Sequence, residues 1–243
     1  MLTATIALAD VLSRPDVWRA NTLASAAIPA QPSGFAALDD ELPGGGWPRG
    51  ALTEILSDDV GVGECSLLIP AIARLADQGK WSLLIAPPHA PQAPAWASAG
   101  VDLARLIVVS PSRTSEALWA AEQALTSGAL GSVLCWTRRI DARQLKRLEV
   151  AAASGDTLAF LFRPAPARAE SSPCALRLAL SAGEHGGLAV ELLKRRGPPC
   201  HRTLNLAVAR PLKWRENDDS QSALARPAFP APAARSQRRA ALA

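Results

Sequence analysis

The 243-residue chain has only four cysteines, no long apolar run and no recognisable export signal. The cysteines, at positions 65, 135, 174 and 200, show none of the close pairs that are typical of zinc fingers and disulfide scaffolds. The longest apolar stretch, residues 67–73, is far too short to span a bilayer. The N-terminus has no basic residue before its apolar part, which argues against a secretory signal. We therefore expect a cytoplasmic protein with free thiols and no membrane association.

The distribution of charge along the chain is uneven. Residues 1–120 contain 7 Lys/Arg and 12 Asp/Glu, whereas residues 121–243 contain 19 and 10, so charges of −5 and +9 give the formal net charge of +4. Such asymmetry favours a polyanion or an acidic protein as partner.

The apolar pattern predicts an α/β fold. Short apolar strands such as Trp81–Ala86 alternate with helices, which is typical of a mostly parallel sheet flanked by helices on both faces. Towards the end, Ala175–Leu180 and Leu188–Lys194 flank a seven-residue turn and predict an antiparallel hairpin with one solvent-exposed face. The predicted divisions are an N-terminal helical segment at 1–30, a core at 31–210 and a disordered Pro/Ala/Arg-rich tail at 211–243.

A strand, a short loop and a helix follow one another at residues 51–78, the order of elements that holds phosphate in P-loop proteins. Their motif, G-x-x-x-x-G-K-[ST], supplies backbone N–H groups and a lysine to the phosphates, and a hydroxyl to magnesium. Gly63 matches the second glycine. The first glycine, the lysine and the hydroxyl residue are replaced by Asp58, Glu64 and Cys65.

These replacements reverse the electrostatics of the loop. A lysine-to-glutamate exchange turns attraction for phosphate into repulsion of roughly 4 kcal/mol per pair of unit charges about 4 Å apart near a surface. Asp58 and Asp59 add to the repulsion. Glu64 also has a structural reason to stand there, because the N–H groups at a helix N-terminus stabilise a carboxylate. We therefore expect no nucleotide at this loop.

The positions after two later strands also lack the side chains of an ATPase. A magnesium-binding acid would stand at the end of residues 131–136, where Trp136 and Thr137 are found, and a catalytic glutamate would follow residues 81–86, where Pro87 and Pro88 are found. His89, next in the chain, is either a lone base or a polar loop residue. We expect no catalytic residue, no cofactor and no metal ion.

Several motifs, in order, resemble the ImuA family, which comprises RecA/SulA-like proteins associated with translesion DNA synthesis. They are LPGGGWPRGALTEIL, GVGE, LLIAPP, GVDLARLIVV, ALWAAEQAL, FLFRP and LLKRRG, and they lie within about residues 30–200. The resemblance implies a RecA-like core with a degenerate P-loop. It implies a non-catalytic adaptor in SOS-induced, error-prone synthesis, acting with ImuB, an inactive Y-family polymerase relative, and with an error-prone C-family polymerase.

Two other functions remain open. The first is a SulA-like cell-division inhibitor, which would share the fold but bind the tubulin-like division protein. The second is a divergent RecA-like, DNA-dependent ATPase with an unusual loop. For the adaptor, RecA and DNA are further candidate partners.

The basic half supplies candidate DNA contacts. Arg143, Lys146 and Arg147 are spaced i, i+3, i+4 and therefore share one helix face, although a merely solvated face is the alternative. The full set of candidates is Arg138, Arg139, Arg143, Lys146, Arg147, Lys194, Arg195 and Arg196. In the tail, Trp214 and Phe229 are candidate anchors for a protein partner, the alternative being a tail with no specific role.

Overall fold

The computed structural model describes Asp10, residues 29–58 and residues 61–209. The predicted N-terminal segment therefore lies outside the described residues except for Asp10 and residues 29–30. The predicted tail, with Trp214 and Phe229, lies entirely outside them, and so does Asp59.

Ten strands form two sheets in the described chain. They are β1 (Ala30–Gln31), β2 (Trp47–Pro48), β3 (Ala51–Leu56), β4 (Trp81–Ile85), β5 (Leu106–Val109), β6 (Leu130–Trp136), β7 (Leu158–Arg163), β8 (Leu176–Ala182), β9 (Leu188–Lys194) and β10 (Thr203–Leu206). β1 and β2 form a small antiparallel pair. The other eight form one sheet in the order β10-β9-β8-β3-β7-β6-β4-β5. Its strands from β8 to β5 are parallel, and β9 and β10 are antiparallel additions.

Helices cover both faces of this sheet. They are α1 (Ala36–Asp39), α2 (Glu64–Asp77), α3 (Ala93–Ser98), α4 (Thr114–Ser127) and α5 (Ala142–Ala153). Apolar side chains of α2 pack with one face of the sheet, and those of α4 and α5 pack with the other. None of the described helices has the length and apolar character needed to cross a bilayer. The predicted α/β fold, with its mostly parallel sheet, is confirmed.

The ends of α5 show how local sequence sets the elements. The carboxylate of Asp141 accepts a hydrogen bond from the Gln144 N–H at 2.8 Å, and the Gln144 side chain accepts one from the Asp141 N–H at 3.1 Å. This capping box satisfies donors that the first helical turn leaves free. It also fixes where the loop after β6 ends, and so positions the neighbouring arginines.

The C-terminal hairpin is present, but its expected solvent-exposed face is partly covered. β8 extends to Ala182, so the turn shortens to residues 183–187 and is closed by a 2.9 Å bond from the Gly183 N–H to the Gly187 carbonyl. Arg177 alternates with the apolar Leu176 and Leu178 and so belongs to the face that the sequence predicts to be exposed, but it is only 7% exposed. The prediction is wrong at this residue because Arg177 pairs with Glu54 on β3, the strand beside β8.

The edge strand β5 is more exposed than its sequence predicts. Ile107, Val108 and Val109 are 37–43% exposed, although a β-branched apolar run is typical of a buried strand. The strand pairs on one side only, with β4, in the part of the chain that the structure describes. It therefore presents apolar side chains and an unpaired row of peptide groups together.

Candidate functional site

The candidate site is the loop between β3 and α2, where a P-loop protein would hold phosphate. β3 ends at Leu56 and α2 begins at Glu64, so the strand–loop–helix order predicted from the sequence is present. β3 lies inside the sheet between β7 and β8. The loop therefore emerges at the carboxyl edge of the parallel strands, where α/β proteins bind ligands.

The carboxylate of Glu64 accepts hydrogen bonds from two N–H groups of this loop. Both of its oxygens lie 3.1 Å from the backbone nitrogen of Gly61, and Oε2 lies 3.1 Å from that of Gly63. The side chain is buried, with the residue 8% exposed. Backbone N–H groups of such a loop are the donors that would surround a phosphate. Here the protein satisfies them with its own negative charge.

Gly63 is fixed by its backbone conformation and by a close neighbour. Its φ of +115° is one that side-chain-bearing residues rarely adopt. A Cβ atom at this position would lie 3.0 Å from Cγ2 of Val208, a buried residue beyond β10. Val208 therefore packs against the loop at Gly63.

The two other replaced positions of the motif are Asp58, which forms a hydrogen bond, and Cys65, whose thiol has a raised pKa. Oδ1 of Asp58 accepts a 3.0 Å hydrogen bond from the Ala165 N–H, which ties the loop to the segment after β7. Burial, with a further contribution from the charge of Glu64, raises the pKa of the Cys65 thiol to about 12. The thiol is therefore protonated at neutral pH and is a poor nucleophile or metal ligand.

An apolar cavity of about 250 Å³ adjoins the loop. Ile69, Leu84, Trp96 and Trp136 line it together with residues 87–89, which follow β4. Trp136 stacks on Phe162 with ring centroids 4.4 Å apart and planes 4° from parallel. The structure thus places an indole where a magnesium-binding acid was sought. Among the described residues, no group of three or more His, Cys, Asp or Glu side chains could hold a metal ion.

Of the eight candidate DNA-contacting cations, four have a bonding partner and four have none in the described part of the chain. Lys146 pairs with Glu149, and Arg147 pairs with Glu122 of α4. At the end of β9, Lys194 donates to a carbonyl oxygen, and Arg195 pairs with Glu41. The remaining cations are exposed, with no ion pair or hydrogen bond from their side chains in the described part of the chain: Arg138, Arg139, Arg143 and Arg196.

A buried ionic cluster lies beside β3 and was missed by the sequence analysis. Glu54 is fully buried; its Oε1 lies 2.6 Å from Nη1 of Arg163, and its Oε2 accepts from Nε of Arg177. Nη2 of Arg163 also lies 2.6 Å from the carboxylate of Glu170. Burial acts to lower the pKa of Arg163, but the hydrogen bonds to Glu170 and Glu54 outweigh it and raise the pKa. The cluster joins β3, β7 and β8.

Comparisons with known proteins relate part of the chain to two groups. The family described as cell division inhibitor SulA matches residues 50–159. Cell division inhibitor SulA of Edwardsiella piscicida is 34% identical over 100 residues, which are 41% of this chain and 60% of that protein. Protein RecA of Lactobacillus delbrueckii subsp. bulgaricus is 35% identical over 108 residues, which are 44% of this chain and 32% of that protein. Protein RecA of Bacillus subtilis is 33% identical over 107 residues, which are 44% of this chain and 30% of that protein.

The matched stretch is less than two thirds of each of these relatives, so their activities do not transfer directly. The SulA family match runs from the start of β3 to within β7 and includes the Glu64 loop. The predicted resemblance to RecA/SulA-like proteins is confirmed. The finer resemblance to ImuA rests on the ordered sequence motifs alone.

Proposed function

We propose that this protein is a non-catalytic adaptor in SOS-induced, error-prone translesion DNA synthesis. Its partners on this proposal are an ImuB-like inactive Y-family polymerase relative and an error-prone C-family polymerase, both implied by the ImuA-like motifs. RecA and DNA are further candidate partners, and the cytoplasm is the expected compartment. The proposal requires a RecA-like core that binds proteins without turning over nucleotide.

The hydrogen bonds of Glu64 are the observation that carries the non-catalytic part. A triphosphate at this loop would have to displace a buried carboxylate from the N–H groups of Gly61 and Gly63, or bind beside its negative charge. The apolar cavity next to the loop offers no second carboxylate for magnesium. We infer that the fold has been retained while the ATPase site has been lost.

A second candidate is a SulA-like cell-division inhibitor. The SulA family match over residues 50–159 and the relative at 34% identity favour it. The proposed adaptor differs in its partner, because a division inhibitor would bind the tubulin-like division protein. The ATPase alternative differs in chemistry, because it needs nucleotide at the Glu64 loop.

A binding experiment with three separate baits distinguishes these functions. The full chain is passed over the inactive Y-family relative, the C-family polymerase and the tubulin-like division protein, each with and without ATP and magnesium. We expect binding to at least one polymerase component, unchanged by ATP. Binding only to the division protein would replace the adaptor with the SulA-like function. Binding that requires ATP, together with ATP turnover, would favour the ATPase.

The tail residues Trp214 and Phe229 are the proposed anchors for the polymerase partner. Replacing both with alanine removes two large apolar side chains, so we expect at least a roughly tenfold loss of affinity for the bait. Trp119 provides the matched control, since it is 64% exposed on α4 and lies outside the tail. Equal losses for the two variants would argue against a tail-specific anchor.

A further inference from the structure

The edge strand β5 lacks the residues that usually keep the edge of a sheet from pairing with another chain. Charged side chains, prolines and bulges serve that purpose in natural proteins. Leu106–Val109 contains no charged residue and no proline, and its register with β4 has no irregularity. Within the described part of the chain, no strand pairs with its outer side. The sequence of this edge therefore does nothing to discourage a further strand.

Exposed apolar side chains stand on both faces of this edge. Ile107 and Val109 pair with residues of β4 that pack on the side of α4 and α5, whereas Val108 pairs with Leu84, which packs on the side of α2. Directly paired residues of neighbouring strands share a face. All three β5 side chains are 37–43% exposed. A strand that is apolar on both faces is typical of the interior of a sheet, where a neighbour covers each of its edges.

The opposite edge of the sheet differs in this respect. On β10 the exposed residues are Thr203 and Asn205, and they alternate with the buried Leu204 and Leu206. The β10 side chains that reach water are thus polar. Only β5, of the two edges, exposes apolar side chains in the described chain.

A second copy of this chain fits the edge, because β5 is complementary to itself. A two-fold axis perpendicular to the sheet at Val108 makes two β5 strands antiparallel and keeps equivalent faces of the two sheets together. Val108 then faces Val108 of the second copy, and Ile107 faces Val109 of the second copy. Cross-strand pairs of β-branched residues stabilise a sheet, whereas like charges directly opposite each other destabilise it. In this register every pair within the strands is apolar or neutral.

The nearest charge is also compatible with this pairing. Arg105 is the only charged residue in the segment 103–112, and it would lie opposite Pro111 of the second copy. Its guanidinium carbon lies 5.4 Å from the centroid of the Trp81 ring, and its Nη1 donates a 3.0 Å hydrogen bond to the Gly79 carbonyl. The charge is therefore held against its own chain.

We propose that two copies of this protein associate through antiparallel pairing of their β5 strands, which joins two eight-stranded sheets into one. Both copies use the same surface, so association ends at a dimer. Four residues per strand offer less area than the roughly 800 Å² per partner of a stable interface, so the dimer is weak, with a Kd of about 10 μM or more. The dimer goes beyond the adaptor function and does not rest on it, because it uses neither the Glu64 loop nor the tail.

Sedimentation equilibrium of the full chain, at about 1 to 300 μM, tests the association. We expect the average mass to rise with concentration from 25.5 kDa towards twice that value. Val108→Lys should weaken the dimer at least roughly tenfold, because two ammonium groups would face each other at the axis. Val150→Lys is the matched control, since Val150 is 57% exposed on α5 and lies outside the edge strand. Circular dichroism shows whether each variant is folded.

A charge-swapped pair of variants tests the register. Val108→Lys and Val108→Glu should each be more monomeric than the unsubstituted chain, but an equal mixture of the two should dimerise, because lysine then faces glutamate across the axis. A substitution that merely perturbed the fold would not be rescued in this way. Three results would overturn the proposal: a mass that stays at 25.5 kDa at every concentration, an equal weakening by Val150→Lys, or a mixture no more associated than either variant alone.

Discussion

Nη1 of Arg163 lies 2.6 Å from Oε1 of Glu54 on the adjacent strand, and neither side chain is more than 3% exposed. Glu54 is therefore the buried counter-ion of two arginines, since Arg177 binds its other oxygen. Buried pairs of this kind add little net stability compared with apolar packing, but removing one member leaves uncompensated charge.

We expect Glu54→Ala to lower the free energy of unfolding by about 3–5 kcal/mol, because Arg177 and one side of Arg163 would lose their counter-ion. Urea denaturation measures the loss. The matched control is Glu191→Ala, which breaks an exposed pair with Arg168 and should cost no more than about 1 kcal/mol. Similar losses in the two variants would mean that burial of the cluster is unimportant.

Substitution of Glu64 tests the loop. Glu64→Ala leaves the N–H groups of Gly61 and Gly63 without their acceptor, so we expect a loss of about 1–3 kcal/mol in urea denaturation. Glu184→Ala, at an exposed carboxylate in the hairpin turn, should change stability by less than about 0.5 kcal/mol. We also expect ATP with magnesium to leave the Tm of the unsubstituted protein unchanged. ATP turnover that disappears in Glu64→Ala would contradict this account.

The four thiols should differ in reactivity. Burial raises the pKa of Cys65 and Cys135 to about 12 and that of Cys174 to about 11, so few of these groups are thiolates at neutral pH. Cys65 and Cys200 are both half-buried, whereas Cys135 and Cys174 are buried. The raised pKa of Cys65 leaves Cys200 as the thiol that we expect to react rapidly. We expect an aromatic disulfide reagent to modify one equivalent rapidly in the native protein and the rest only after unfolding. Cys200→Ser should abolish the rapid phase, and its persistence would refute the assignment.

The pair between Glu41 and Arg195 should make stability depend on pH. Hydrogen bonding from Arg195 lowers the pKa of Glu41 from its usual value of 4.5. Burial raises this pKa, but the charges of Arg202 and Arg195 lower it further, so the net shift is downward. A carboxyl group whose pKa is lower in the folded protein than in the unfolded chain stabilises the fold at any pH above its pKa in the unfolded chain. This contribution is lost as the pH falls through its pKa in the folded protein.

The Tm advantage of the unsubstituted protein over Glu41→Gln should therefore shrink as the pH is lowered from neutrality to below 4.5, measured by thermal denaturation. Asp77→Asn is the control, because Asp77 is exposed and has no partner among the described residues. An advantage of Glu41 that is constant over this range would show that its charge does not contribute.

Local patterns predicted most of the described fold. β9 has the bounds, Leu188–Lys194, that the sequence predicts, and the start of α5 follows from its capping box. The exposure of β5 was not predictable, because apolar composition gives strand type but not position in the sheet. β5 became an edge only through the strand order.

The charged part of the sites depends on pairings between distant residues. The partners of Glu54 lie 109 and 123 residues later in the chain, so a single carboxylate in a strand pattern gave no sign of burial. The spacing places Arg147 on one helix face with Arg143 and Lys146, but it gives no sign of the bond to Glu122, which crosses to another helix. By contrast, Glu64 was found from sequence, because its motif and its hydrogen bonds fall within a few residues.

The anion that the N–H groups of Gly61 and Gly63 bind is the side chain of Glu64, so it is present at every nucleotide concentration. Enzymes with a RecA-like core use ATP binding and hydrolysis to time the binding and release of their partners. On the function proposed above, this protein has no nucleotide-dependent step of that kind. Its activity as an adaptor would then depend on its concentration, which its rates of synthesis and degradation set.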